Sequence, residues 1–251
     1  MKRQRRLLTL IVHVQDLAQQ SKRAAIANGL QALDFLQLRS SGDDTAQDAL
    51  VDAGEQLQEL LAAAQHANSD RVPSKQPALV LNAPLDAIAT LTRRHPSAFA
   101  GWHVKERDLF HADLQQLIKQ ARARSAQTVV GCSVHSVAAA IHAARLGVDY
   151  IQVGTMFSTP SHPEKASVDQ LEGPQLLRAI RARGVDEEFM LPPLIAVGGI
   201  NTSQQIRQVL SAGAEGVAVI RGILSAADAR ATAAQYRAVL DSHGQDGVPT
   251  R

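Results

Sequence analysis

Ile195-Ala196-Val197-Gly198-Gly199-Ile200 and, one helical stretch later, Gly216-Val217-Ala218-Val219-Ile220-Arg221-Gly222 decide the fold. Each is a short apolar run that ends in a glycine turn. A strand buried on both faces of a parallel sheet reads as such a run. Between the two, Thr202 or Ser203 can start a helix. Its Ile206, Val209 and Leu210 share one face, and Gly213 ends it. Glycines at strand ends let backbone N–H groups approach an anion closely, and a following helix adds partial positive charge. Paired loops after the last two strands are the recurring phosphate site of (β/α)₈ barrels. Glycines that serve only packing turns are the plainer alternative.

Working outward, the same alternation runs through the chain. Apolar runs at Leu7–Val12, Phe35–Leu38, Ala78–Leu81, Ala98–Val104, Thr128–Cys132, Tyr150–Val153, Leu194–Val197 and Gly216–Ile220 predict eight strands, the barrel number. Ser136 caps a helix that passes Val137 and Ile141 and stops at Gly147. A long helix is expected over Ala46–Ala67, a polar loop over Ser69–Pro77 and a longer connection over Val185–Pro193. A doubly wound open sheet has the same element order and stands as the structural rival. The expected organisation is one α/β barrel domain, a (β/α)₈ TIM barrel over residues 1–240, with 241–251 as a flexible tail.

Composition narrows the function classes. The chain has 251 residues, enough for one barrel, and 45% of them are hydrophobic. Its net charge is +2, and the dense basic run Lys2, Arg3, Arg5 and Arg6 sits at the terminus, where a solvated end is expected. Nucleic-acid and membrane partners therefore have no support. The single cysteine, Cys132, forms no disulfide within the chain and reads as buried filler, which fits a reducing, cytoplasmic setting. Leu7–Val12 is too short to span a membrane.

Several further pieces fall in the same frame: Gly131-Cys132-Ser133-Val134-His135-Ser136, Asp149-Tyr150-Ile151-Gln152-Val153-Gly154 and Phe157-Ser158-Thr159-Pro160-Ser161. With the two glycine turns they resemble the thiamine phosphate synthase/TenI family. The resemblance is strongest from Thr128 to Leu224. Upstream it is patchy, at Gln37-Leu38-Arg39, Leu81-Asn82 and Gly101-Trp102-His103. It implies a TIM barrel of thiamine biosynthesis whose small-molecule substrate is a thiazole phosphate. It also implies that Gly198-Gly199, Ile220 and Arg221 hold the phosphate. Where the family usually has a serine after the Val-Ile pair, this chain has Arg221, which either adds a charge-assisted bond to phosphate or points into solvent.

The synthase branch joins this thiazole to a pyrimidine pyrophosphate and needs Mg²⁺ and cations at the leaving group. Its Gln-x-Arg-x-Lys pattern reads Gln37-Leu38-Arg39-Ser40-Ser41, and its Asn-Asp reads Asn82-Ala83. The acidic metal ligand survives as Asp108, but the Gly-Gln before it has become Lys105-Glu106. Thr-x-Thr-Lys reads Thr159-Pro160-Ser161-His162. Each loss removes on the order of 10²-fold in rate. The TenI branch, a thiazole tautomerase, also lacks these groups and needs no metal. By resemblance His135 is its acid/base; an imidazole can accept and donate a proton near neutral pH. A purely structural His135 at the start of a helix stands beside that role.

Three functions follow: a TenI-like tautomerase, a divergent Mg²⁺-dependent synthase using Arg39, Asn82 and Asp108, and a silent thiazole or thiamine phosphate binder. An unrelated sugar-phosphate isomerase would want a carboxylate base at a strand end, and none stands out. Arg39 is expected at the barrel mouth, binding an anionic group or pairing with Asp43 or Asp44. Ser133, Thr159 and Ser161 are expected to line the pocket. Trp102 is expected to pack; His103 at the end of the fourth strand is expected to be structural, with site-lining as the alternative, and His103 and His162 are the reserve acid/bases. A homo-oligomer stays open.

Overall fold

The computed structural model describes residues 5–40, 45–66, 76–161 and 167–243, Val168 by its backbone alone. Eight parallel strands close into a barrel in chain order: β1 (Leu7–His13), β2 (Phe35–Arg39), β3 (Ala78–Asn82), β4 (Gly101–Val104), β5 (Val129–Val134), β6 (Tyr150–Val153), β7 (Leu194–Val197) and β8 (Gly216–Val219). Closure is made by β8 against β1, with Leu7 opposite Gly216 and Leu10 opposite Val219. The open-sheet rival is therefore excluded.

Around the barrel run α1 (Gln20–Gly29), α2 (Gln47–His66), α3 (Leu85–Arg94), α4 (Leu114–Arg124), α5 (Val137–Leu146), α6 (Gly173–Asp186), α7 (Ser203–Ser211), the short α8 (Arg221–Leu224) and α9 (Ala229–Ser242). Their ends obey local chemistry. Ser136 accepts the Ala139 N–H at the start of α5, and Gly147, at φ +78°, ends it in the left-handed conformation only glycine adopts cheaply. Thr202 and Gln205 form a reciprocal capping box on α7.

Two apolar layers result. The larger lies between strands and helices, where residues such as Leu8, Leu36, Ile206 and Val209 are fully buried. Each such burial contributes about 1.5–3 kcal/mol. The smaller fills the lumen with Ile11, Tyr150, Ile195 and Ala218. The Tyr150 ring stacks on Phe35 with centroids 5.2 Å apart. A Cβ at Gly131 would lie 2.1 Å from that ring, so β5 needs its glycine to let the ring in. Trp102 and Cys132 pack as expected.

Several expectations shift. β4 begins at Gly101, not Ala98, because Ala98 closes a turn onto the His95 carbonyl. β5 runs on to Val134, because Ser133 and Val134 pair with Gln152 and Val153. Ile220 leaves β8 and becomes the residue before α8, at φ −119° and ψ −85°. α6 continues to Asp186, which shortens the connection expected from Val185. Asp241 and Ser242 belong to α9 rather than to a tail. Arg5 and Arg6 are tethered: Arg5, although exposed, pairs with Asp34 at 3.2 Å, and Arg6 bonds the Leu240 and His243 carbonyls. Lys2 and Arg3, residues 244–251 of the tail and most of the Ser69–Pro77 loop lie outside the described residues. Among the described residues no helix is long and apolar enough to cross a membrane.

Candidate active site

A cleft of about 460 Å³, counting its open side, lies where β7 and β8 end. Its lining includes Ile11, Arg39, Thr159, Ser161, the Gly198–Asn201 turn and Val219–Arg221. Of the expected site residues, this cleft gathers the phosphate-turn residues Gly198, Gly199, Ile220 and Arg221 with Thr159, Ser161 and Arg39, whereas Ser133, Asn82 and Gln37 are not in its lining. Gly198 and Gly199 sit at φ +100° and +67°. A Cβ on Gly199 would come within 2.4 Å of the Phe157 carbonyl oxygen, so the turn is closed against the loop after β6. Its N–H makes no hydrogen bond among the described residues. The N–H groups that open α8 lack intrahelical acceptors by the nature of a helix start.

Arg221 does not point into solvent. Its guanidinium donates to Thr159 Oγ1 at 3.1 Å, spanning from the β8 turn to the loop after β6. Arg39 makes no hydrogen bond or ion pair among the described residues, and burial lowers its pKa. Asp43 and Asp44, its expected alternative partners, lie outside the described residues, as do Ser41 and His162. Two guanidinium groups therefore face one cleft without a described carboxylate between them. Tyr236 of α9 braces both turns: its hydroxyl donates to the Asn201 carbonyl at 2.6 Å and packs where a Gly222 Cβ would stand. Nothing in the local sequence marked that tyrosine.

His135 lies beside this cleft and is not among its lining residues. Segment 154–157 runs between them: Met156 N–H donates to Val197 O and Phe157 N–H to Gly198 O. The His135 ring is held from that segment, with Nδ1 at 2.6 Å from the Gly154 carbonyl and 3.4 Å from Glu172. A carbonyl can only accept, so Nδ1 carries a hydrogen, and in the neutral imidazole the lone pair is then on Nε2. The side chain is 39% exposed. Glu172 also accepts the Thr155 N–H, which ties the histidine's support to the same segment. Sequence reasoning passed over Glu172; a carboxylate just ahead of the Gly173-Pro174 helix start was the available signal.

Glu106 is absorbed locally. Its carboxylate accepts the His135 N–H at 2.7 Å and the Ser136 hydroxyl at 3.3 Å, holding the start of α5. Asn82 stands opposite Arg39 in the β2–β3 register and opposite His103 in β3–β4. Asn82 Oδ1 and Asp108 Oδ2 are buried without hydrogen-bond partners among the described residues. Gln37 is not at the mouth but in the lumen, where its Oε1 accepts from Gln152 Nε2 at 2.7 Å. β2 and β6 lie opposite each other in the ring, so the two amides span it below the cleft.

His103 is no reserve acid/base at the strand end. It is fully buried, with Nδ1 3.1 Å from the Tyr150 hydroxyl and Nε2 2.8 Å from Ser133 Oγ. Burial, helped by the Arg39 charge, lowers its pKa to about 3, so it is neutral at physiological pH. The consequence for stability has a definite sign. Between about pH 6.5 and 3 the unfolded chain binds a proton that the folded chain refuses, so stability falls as pH falls through that window. The slope from this one group approaches about 1.4 kcal/mol per pH unit. Chemical denaturation of wild type and His103→Gln from pH 7 to 4 measures it. The wild type should lose stability faster; parallel curves would show that His103 titrates normally.

The chain is thus a (β/α)₈ barrel with a polar cleft at the C-terminal ends of its last strands. It belongs to the thiamine monophosphate synthase (TMP-TENI) family, whose profile matches residues 8–223. The thiamine-phosphate synthase of Chloroflexus aurantiacus is 35% identical over 140 residues, 56% of this chain and 57% of that protein. That of Pyrococcus abyssi is 32% identical over 126 residues, 49% of this chain and 55% of the relative. The chain spans about half the length of the curated relatives it matches. Thiamine phosphate pyrophosphorylase from Pyrococcus furiosus superposes with a TM-score of 0.64 at 20% identity, covering 94% of this chain and 96% of that one. A 3-hexulose-6-phosphate synthase reaches 0.58 at 19% identity, covering 93% and 99%. These superpositions establish the shared fold.

Proposed function

We propose that this chain is a thiazole tautomerase that binds a thiazole carboxylate phosphate at the glycine turns and shifts a proton with His135. The observation that carries this reading is the posture of His135. Its Nδ1–H is committed to the Gly154 carbonyl, which in the neutral ring leaves Nε2 as the free base on a partly exposed side chain beside segment 154–157, the segment that also borders the cleft. Nε2 removes a proton from one ring carbon. The C–H electron pair moves into the ring, and the imidazolium returns a proton at the second carbon. Atoms and electrons balance without a redox partner. Gly199, Ile220, Arg221 and Thr159 hold the phosphate, with Arg39 and Ser161 at its rim.

The second reading, a Mg²⁺-dependent thiamine phosphate synthase, is favoured by the names of the relatives and by one structural observation. The unpartnered oxygens of Asn82 and Asp108 are hard donors of the kind Mg²⁺ takes. They would hold the ion, which would supply charge neutralisation for a departing pyrophosphate. Against efficient synthesis stand Ala83 in place of a second carboxylate and Glu106, whose oxygens are taken by the start of α5. Thiamine phosphate formation from pyrimidine pyrophosphate, thiazole phosphate and Mg²⁺ is therefore expected well below an ordinary turnover of about 1 s⁻¹. Turnover at or above that rate promotes the synthase reading. Thiazole phosphate soaked into crystals is expected with its phosphate between the Gly198-Gly199 and Ile220-Arg221 turns. Density on another face of the barrel overturns the shared basis of both readings.

A further inference from the structure

One peptide group holds both members of a histidine–carboxylate pair. The carbonyl of Gly154 lies 2.6 Å from His135 Nδ1, and the N–H of the next residue, Thr155, donates to Glu172 Oε2 at 2.5 Å. The other Glu172 oxygen stands 3.4 Å from the same Nδ1. The carboxylate cannot drift from the ring without giving up the Thr155 bond. Its backbone is fixed as well. Gly173, the next residue, turns the chain at φ +60° and donates its N–H to the Thr155 carbonyl at 3.1 Å. Thr155 is buried and the Glu172 side chain is 16% exposed, so water screens the pair only in part. A second carboxylate, Glu106 from the turn after β4, also lies at this histidine. It takes the His135 backbone N–H at 2.7 Å and the Ser136 hydroxyl at 3.3 Å, not the ring. Among the described residues Glu172 is thus the carboxylate set against the imidazole.

We propose that Glu172 is a positioning residue for His135, which keeps Nδ1 turned onto the Gly154 carbonyl and offsets the charge the ring gains when Nε2 takes up a proton. A carboxylate beside an imidazole favours the charged ring. Glu172 also polarises the peptide group whose N–H it accepts, which makes the Gly154 carbonyl a better acceptor for Nδ1–H. In the isomerisation the proton passes from one ring carbon to Nε2 and from Nε2 to the second carbon. Glu172 stays ionised throughout and exchanges no proton; it acts through His135 and touches no ligand. The inference rests on the reading above only for the use made of this charge, since the pairing holds for the free protein.

Glu172→Gln tests it, because glutamine keeps the length and an oxygen for the Thr155 N–H and loses the charge. Histidine NMR of the ligand-free proteins should show the His135 ring giving up its proton at lower pH in the variant than in wild type. Coincident titrations in a folded variant overturn the proposal, whether or not the protein isomerises anything. Turnover of thiazole carboxylate phosphate should fall by about tenfold or more, with KM within about twofold of wild type. A raised KM with unchanged kcat would mean that Glu172 only shapes segment 154–157, and would also overturn it. Glu172→Asp, which keeps the charge, should turn over faster than Glu172→Gln; the reverse order would assign the effect to shape and sink the proposal. If wild type does not isomerise the substrate, the proposed function fails and the titrations alone judge the pair. If Glu172→Gln does not fold, wild type decides. The ¹³C signal of the Glu172 carboxyl should then shift as His135 titrates, and a signal indifferent to that titration contradicts the pairing.

Discussion

Replacing His135 with asparagine is expected to lower isomerisation of thiazole carboxylate phosphate by about 10²-fold or more, the usual worth of general acid/base catalysis. Thiazole phosphate affinity should stay near wild type. The choice of asparagine follows from the geometry. Its side-chain NH₂ can still donate to the Gly154 carbonyl that His135 Nδ1 reaches at 2.6 Å, so segment 154–157 keeps its support. The backbone bond from residue 135 to Glu106 does not depend on the side chain. What disappears is the Nε2 lone pair. Paired measurements of turnover and dissociation constant separate the roles. Loss of both would mean that the histidine positions the loop; loss of neither would move the acid/base to another residue.

Gly199→Ala carries the second large effect. At φ +67° a side chain costs about 1–3 kcal/mol of backbone strain. The added Cβ would also sit 2.4 Å and 2.6 Å from the Phe157 and Ser158 carbonyl oxygens, where nothing flexible can yield. The turn must open, and with it the cleft that Thr159 and Arg221 share. Thiazole phosphate affinity should fall by at least about 10²-fold, the equivalent of about 2.7 kcal/mol. Gly213→Ala is the control. It is equally left-handed, at φ +103°, but its nearest neighbour is the Arg181 side chain, away from the cleft. It should cost stability and leave binding intact. Calorimetric binding and thermal unfolding of both variants give the comparison. Unchanged affinity in a folded Gly199→Ala protein would remove the glycine turn from the ligand site.

The last third of the barrel was the most legible in the sequence, for a physical reason. β7 and the α7 cap are local: an apolar run, two glycines and Thr202 with Gln205 specify strand, turn and helix within a dozen residues. The cleft residues followed, because strand ends and their turns carry their own chemistry. The lumen was not legible. Gln37 bonds Gln152 across 115 residues of sequence, and His103 meets Ser133 and Tyr150 from neighbouring strands. Such pairings exist only once the barrel closes, and their signal was a lone polar residue inside an apolar strand. Gln152 within Tyr150–Val153 is one such residue, and the sequence alone gives it no partner. Glu106 misled in the opposite direction. As a departure from the synthase pattern it suggested a lost function, whereas its carboxylate holds the start of α5 at His135 and Ser136. Arg221 had two readings; the bond to Thr159 removes the solvent-facing one, and the phosphate contact stays a proposal.

The most direct test of the account is a time course with the pure protein, thiazole carboxylate phosphate tautomer and EDTA, followed by the ultraviolet absorbance of the aromatic product. Enzyme-dependent conversion is expected at an ordinary rate, on the order of 1 s⁻¹ or faster, without metal or pyrimidine. No acceleration over buffer, from a protein that makes thiamine phosphate once pyrimidine pyrophosphate and Mg²⁺ are supplied, would contradict it.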